Sequence, residues 1–224
     1  MFPLLDPSGP NPCELFQIWL NLPAADKMVD PYFTMLWNED IPRHAHVDAD
    51  GRRTEVTVIA GEFAGLRPPA PPPNSWASRP EADVAIWHAV HDAKAAWTLP
   101  ASGPETVRTL YVFEGSVRIG AHDLEASSGA LLRAGQDVPI VAGPYGAETL
   151  VLQGRSIAEP VVQYGPFVMN DEDGIRRAFT DYRSTGFGGW PWPVDDPVHP
   201  RDAGRFARHA DGRLERPSSV DATT

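Results

Sequence analysis

A chain of 224 residues can form one large domain or two small ones, and its 42% hydrophobic and 22% charged residues exclude a wholly disordered or fibrous protein. Its 24 prolines and 19 glycines argue for short strands joined by turns, since both residues interrupt helices. A formal charge of −11 repels phosphate backbones, which excludes direct sequence-independent nucleic-acid binding and leaves binding through a protein partner open.

Residues 1–13 are rich in Pro, Asp, Asn and Gly and read as a loop. The N-terminus lacks the basic and apolar regions of a secretion signal, and no run of about 18 apolar residues marks a membrane span, so a cytoplasmic location is expected. The single cysteine, Cys13, allows neither an internal disulfide nor a cysteine-rich zinc site and has no basic neighbour to activate it. Leu15–Leu22 is an apolar run ended by Pro23 and predicts a strand, as do residues 32–37 and the alternating residues 54–60. The proline-rich stretch 67–73 reads as a loop or boundary.

Along 83–91, Val84, Ile86, His88 and Val90 share a face at period two, which favours a strand over a helix on Val84, Trp87, Val90 and His91. Strand signals follow at 107–114, 117–119, 131–132, 138–141, 149–152 and 160–164, punctuated by glycines, and many short strands at such spacing argue for a barrel or sandwich. One helix is signalled, with Asn170 as its cap, acids at 171–173, Ile175, Phe179 and Tyr182 on one face, and Gly186 at its end. The polar stretch from about Pro200 to Thr224 reads as a mobile tail.

His44 and His46 are the first candidates for chemistry, because two histidines one residue apart on a strand point to one face and can share a metal. Pro42 before them and Asp48-Ala49-Asp50-Gly51 after them place the pair in a solvated turn instead. His88 and His91 fall on opposite faces of a strand, one outside and the other a satisfied core histidine. His122, His199 and His209 read as surface residues. The segment Gly186–Pro193, with Trp190 and Trp192 beside rigid prolines, reads as an anchoring or docking segment.

Residues 107–140 resemble the cupin family: Arg108–Gly115 looks like the end of its first motif and Gly129–Gly135 like the start of its second. With Gly115 as anchor, the family's metal-binding glutamate position falls on Arg108. Its paired histidine positions fall on Ala101 and Gly103, or on Ser102 and Pro104, and its second-motif histidine falls near Ile140. None of these side chains can coordinate a metal.

Three further segments, Glu14–Pro23, Tyr164–Asn170 and Phe187–Pro193, taken in this order over residues 1–193, resemble the pirin family of tandem cupin barrels. The resemblance implies an all-β, cupin-like jelly-roll barrel with one C-terminal helix, an incomplete bicupin. Residues 1–54 are then remnant strands and loops of a first barrel, 55–165 a degenerate cupin barrel, 166–199 the helix and aromatic docking segment, and 200–224 the tail. In the family the first barrel holds iron on three histidines and a glutamate that precede the segment equivalent to Phe16–Pro23. Residues 1–15 contain no histidine, so no family ligand carries over. The chain looks like the C-terminal part of a pirin, from a gene start assigned too late or from a natural truncation.

No catalytic, cofactor-binding or metal-ligating residue is therefore assigned, and the chain is expected to be metal-free and non-catalytic. The resemblance also implies two other functions: an iron-dependent quercetin dioxygenase where the upstream metal-binding half is present, or an interaction module that meets transcription factors. Apolar side chains left without cover, Leu15, Phe16, Ile18, Trp19, Trp190 and Trp192, are expected to drive self-association or partner binding. No nucleic acid or membrane is expected as a direct partner.

Overall fold

Alternation of small β-branched and polar residues, broken by glycine and proline, yields a chain of strands with a single α-helix among the described residues. The computed structural model describes residues 2–209 and 211–218. In chain order its strands are β1 (Leu4–Leu5), β2 (Arg43–Val47), β3 (Arg53–Ala60), β4 (Ala85–His91), β5 (Ala96–Leu99), β6 (Val107–Ile119), β7 (His122–Glu125), β8 (Ser128–Arg133) and β9 (Val138–Gly154). The hairpin strands β10 (Val162–Tyr164) and β11 (Phe167–Met169), the helix α1 (Glu172–Thr185), and the short strands β12 (His199–Pro200), β13 (Ala207–Arg208) and β14 (Leu214–Glu215) follow.

Two units are distinguished, Leu36–Ile157 and Met1–Met35 with Ala158–Thr224. In the first, β2 to β9 form one antiparallel eight-stranded sheet that folds over itself. The long strands β6 and β9 make this possible, because each serves two layers. Their outer halves pair with β8 and β4, and their other halves pair with β7 and β5. At the corner β6 is bulged on either side of Gly115, whose φ of +68° and close approach to the Gly146 carbonyl leave no room for a Cβ.

Between the layers lie Val56, Val58, Trp87, Ala89, Trp97, Leu99, Leu110, Val112, Val117, Ile140 and Val151, all buried, in agreement with a cupin-like barrel. The borders differ from those expected. The unit starts at Leu36 rather than residue 55, because β2 hydrogen-bonds along β3 from Arg43–Thr57 to Val47–Arg53, and it ends at Ile157 rather than 165.

The expected strand at Leu15–Leu22 has no ladder, and neither does the one at 32–37. Both are irregular backbone, since an apolar run alone supplies no pairing edge. The helix forms as expected, with its cap one residue later: Asp171 Oδ1 accepts from the Gly174 N–H at 2.6 Å, while Asn170 donates to Glu159 Oε2 and Pro160 O. Gly186 ends it in the left-handed region, and Phe179 and Tyr182 meet Phe167 of the β10–β11 hairpin edge-to-face.

Trp190 and Trp192 cluster with Phe2, which anchors the glycine-rich segment within the second unit. In the stretch expected to be a mobile tail, β13 and β14 form a small hairpin with Ala207 buried, and 219–224 lie outside the described residues.

Candidate functional site

Inward-facing positions along each barrel strand alternate, so one side chain in two from β3, β4, β6 and β9 enters the interior. That rule places a polar layer at each end of the apolar core. At one end is His91, with Nδ1 3.1 Å from Thr54 Oγ1 and Nε2 3.1 Å from Thr149 Oγ1. Burial, with His88 as a minor second cause, lowers its pKa to about 4, so the ring is neutral at pH 7. Both ring nitrogens are engaged, so of the two histidines that the sequence places on opposite faces, His91 is the satisfied core one. His88 lies on the opposite face, 2.8 Å from Glu148 Oε2.

The other end is built around a buried arginine instead of a histidine. Arg108 is 1% exposed, its Nε donates to Gln153 Oε1 at 2.8 Å, and its Nη1 donates to the Pro100 carbonyl at 2.7 Å. Its guanidinium lies 5.9 Å from the Trp87 ring centroid. Asp83 enters from the preceding turn in a left-handed conformation. It accepts from Ser102 Oγ at 2.6 Å, from Thr106 Oγ1 and from Gln153 Nε2. Burial lowers the Arg108 pKa and the Asp83 charge partly restores it.

A cavity of about 180 Å³ opens on this cluster, bounded by Phe63, Asp83, Trp87, Ser102, Arg108 and Gln153. A signal for it was present, because Arg108, Leu110 and Val112 share one face of β6 at period two.

His44 and His46 correct the expectation of a loop. They lie on β2 and share its half-buried face. The turn residues Asp48–Gly51 form the hairpin loop that follows, and do not prevent the strand before it. With Phe63, Trp97, Ile140 and Val141 the two histidines line a second hollow of about 500 Å³. Asp48 beside them is committed to backbone: Oδ1 accepts from the Asp50 and Arg52 N–H groups and Oδ2 from Ala96. Those bonds, Ala96 first, hold its carboxyl below the usual range.

Among the described residues, no three His, Cys, Asp or Glu side chains converge, so the donor set present does not fit a mononuclear iron. His209 corrects a further expectation: it is not a plain surface residue, because its Nε2 lies 2.8 Å from Glu215 Oε2 and its ring meets Phe33. Cys13 is exposed.

Comparison with known proteins gives a consistent picture. Residues 86–188 match the pirin C-terminal cupin domain. A pirin-like protein of Caulobacter vibrioides is 35% identical over 172 residues, covering 77% of this chain and 58% of the relative. Human pirin is 29% identical over 187 residues, covering 81% and 60%. Among solved structures, a quercetin 2,3-dioxygenase from Acinetobacter baumannii superposes with a TM-score of 0.64 at 27% identity, covering 76% of this chain and 55% of that one. The chain thus spans less than two thirds of the length of the curated relatives it matches.

Proposed function

Because this chain belongs to the pirin family, with its barrel matching that family's C-terminal cupin domain, we propose that it serves as a metal-free, non-catalytic cupin barrel. The observation that carries this reading is Arg108. At the interior position where the cupin motif calls for a carboxylate ligand, the barrel holds a buried guanidinium, which repels a cation. Dioxygen chemistry of the kind the Acinetobacter relative is named for needs donors that this chain's described residues do not bring together.

The test is anaerobic loading of the purified chain with ferrous iron, followed by desalting and metal analysis. Iron well below one equivalent is expected. Stoichiometric iron that is lost in His44→Ala or His46→Ala would overturn the reading.

A second reading keeps the enzyme. Joined to a metal-bearing cupin half, this chain supports quercetin oxidation, a reading favoured by the likeness to the Acinetobacter dioxygenase. Mixing or fusing the two halves and following quercetin absorbance tests it, and no gain over the metal-bearing half alone counts against it.

As an interaction module, the chain uses its −11 charge to attract basic protein surfaces and its exposed Leu15, Ile18 and Trp19 to bind them or a second copy. Direct contact with nucleic acid is disfavoured by the same charge. Among the described residues no helix is long and apolar enough to cross a membrane. The site of action is proposed to be the cytoplasm.

A further inference from the structure

Two strands end the barrel's sheet, and each leaves backbone groups unpaired. β2 pairs only with β3 among the described residues. Bonds from the Val58 N–H to the Pro42 carbonyl and from the Asp48 N–H to the Arg52 carbonyl fix the alternation of that ladder. The N–H and C=O of His44 and His46 therefore face β3, while those of Ala45 and Val47 face away and find no partner among the described residues. β5 pairs only with β9 among the same residues, and the bond from the Ala142 N–H to the Ala95 carbonyl turns the Thr98 groups outward in the same way. The two free edges open on one place. Val47 and Thr98 both line the hollow of about 500 Å³, where Phe63, Trp97 and Ile140 form the apolar wall, and the Ala96 N–H donates to Asp48 Oδ2 at 2.9 Å, which ties the strands at one end. An unpaired edge is a template for a further strand, and charge at its centre is a usual guard. β2 has none there: Ala45 is exposed, and Arg43 is paired with Glu55.

The chain carries a segment suited to that edge. Leu15–Leu22 forms no ladder, and at period two it sets Phe16, Ile18, Leu20 and Leu22 on one face and Leu15 and Trp19 on the other. Phe16, Ile18 and Leu20 are exposed within a single copy. We propose that Leu15–Leu22 of one copy adds as a strand along β2 of a second copy. Its backbone pairs with Ala45 and Val47, its Phe16, Ile18 and Leu20 side chains enter the hollow, and Leu15 and Trp19 cover the Ala45 and Val47 side chains on the outer face. Main-chain bonds then supply affinity, and the hollow selects a strand with one wholly apolar face. Eight residues are ample for a five-residue edge. The pairing rests on the reading that this segment binds a second copy, and it names the surface that receives it.

The experiment compares variants of the whole chain by light scattering behind a sizing column. Ala45→Pro removes the outward N–H and leaves the β3 ladder intact, since proline is tolerated on an edge whose N–H faces solvent. Its association is expected to be about 10-fold weaker than the parent's, with an unchanged urea midpoint. Amide hydrogen exchange gives a second reading that needs no variant, and it decides where Ala45→Pro fails to fold. As the parent is concentrated, exchange at Ala45 and Val47 is expected to slow about 10-fold, while His44 and His46, already in the ladder, change little. A folded Ala45→Pro that associates like the parent, or Ala45 and Val47 amides that exchange at one rate throughout, would overturn the pairing. If Leu15→Glu with Trp19→Glu still abolishes association in that case, the segment meets a second copy elsewhere and only the receiving surface is wrong. A parent that never associates removes both.

Discussion

Arg108 and Gln153 face each other across β6 and β9, and the amide of Gln153 bridges the guanidinium to the Asp83 carboxylate. Gln153 thus satisfies a buried cation with its oxygen and a half-buried anion with its nitrogen. Gln153→Leu removes both bonds and leaves the buried guanidinium with the Pro100 carbonyl as its remaining partner, at an expected cost of about 3–5 kcal/mol. Arg108→Met removes the charge itself and is expected to cost less, about 1–3 kcal/mol. The double variant is expected to be more stable than the sum of the two losses implies, because the pair shares one network. Urea unfolding of the three variants checks the order. Gln153→Leu within about 0.5 kcal/mol of the parent would mean that water, not the amide, holds the guanidinium.

His91 makes the barrel sensitive to acid. Its pKa falls from 6.5 to about 4 on folding, so between those values the unfolded chain binds a proton that the folded chain refuses. Stability contributed by the neutral ring is complete above pH 6.5 and is lost as pH falls toward 4, at about 3 kcal/mol in total. Carboxylates titrate over part of the same range, so the measurement is a comparison: urea midpoints of the parent and of His91→Gln at about pH 7 and about pH 4.5. The parent is expected to lose more. Parallel profiles for the two proteins would remove His91 from the account.

Two glycines with similar backbone angles separate strain from crowding. Gly115 and Gly120 have φ of +68° and +59°, but a Cβ on Gly115 would lie 2.2 Å from the Gly146 carbonyl oxygen, while one on Gly120 meets nothing within 4 Å. Gly120→Ala is expected to cost about 1–2 kcal/mol, the left-handed penalty alone. Gly115→Ala must also push apart the corner where β6 and β9 change layers, at about 3 kcal/mol or more. Thermal unfolding ranks them. Equal melting temperatures would show that the corner yields easily.

What could be read from the residues follows from what each signal encodes. The alternation in Arg53–Ala60 and Ala85–His91 located β3 and β4, but it left open which of His88 and His91 turns inward, because the apolar face it marked, with Ile86, His88 and Val90, is the outward one. The short signals at 107–114 and 117–119 could not show that one strand runs through both, because continuity across a bulge depends on the partner strand β9. His44–Val47 was obscured by its own turn, since Pro42 and Asp48–Gly51 mark the loop strongly while a half-buried edge strand with two histidines has little apolar weight. The Leu15–Leu22 run shows the converse: six apolar residues out of eight do not carry the information that a pairing edge lies beside them. Arg108 was legible as a replaced ligand position. The cavity beside it was not, because Asp83, Trp87 and Gln153 come together only through the sheet register.

Exposed side chains of that same run make the last prediction. Leu15 and Trp19 are 72% and 67% exposed, and Ile18 and Leu20 beside them are also open. Covering one large apolar side chain is worth about 1.5–3 kcal/mol, so even two of them covered in a contact outweigh a modest electrostatic repulsion. The opposing term is the −11 charge, which salt screens over a Debye length of about 8 Å at physiological ionic strength. Association of the purified chain is therefore expected to rise with protein concentration and with added salt, the reverse of an ion-pair contact. Leu15→Glu with Trp19→Glu is expected to abolish it without altering the barrel's urea midpoint, as both residues lie outside Leu36–Ile157. Light scattering behind a sizing column reads the mass directly. A parent that stays monomeric in high salt, or a double variant that associates as before, would place the contact elsewhere.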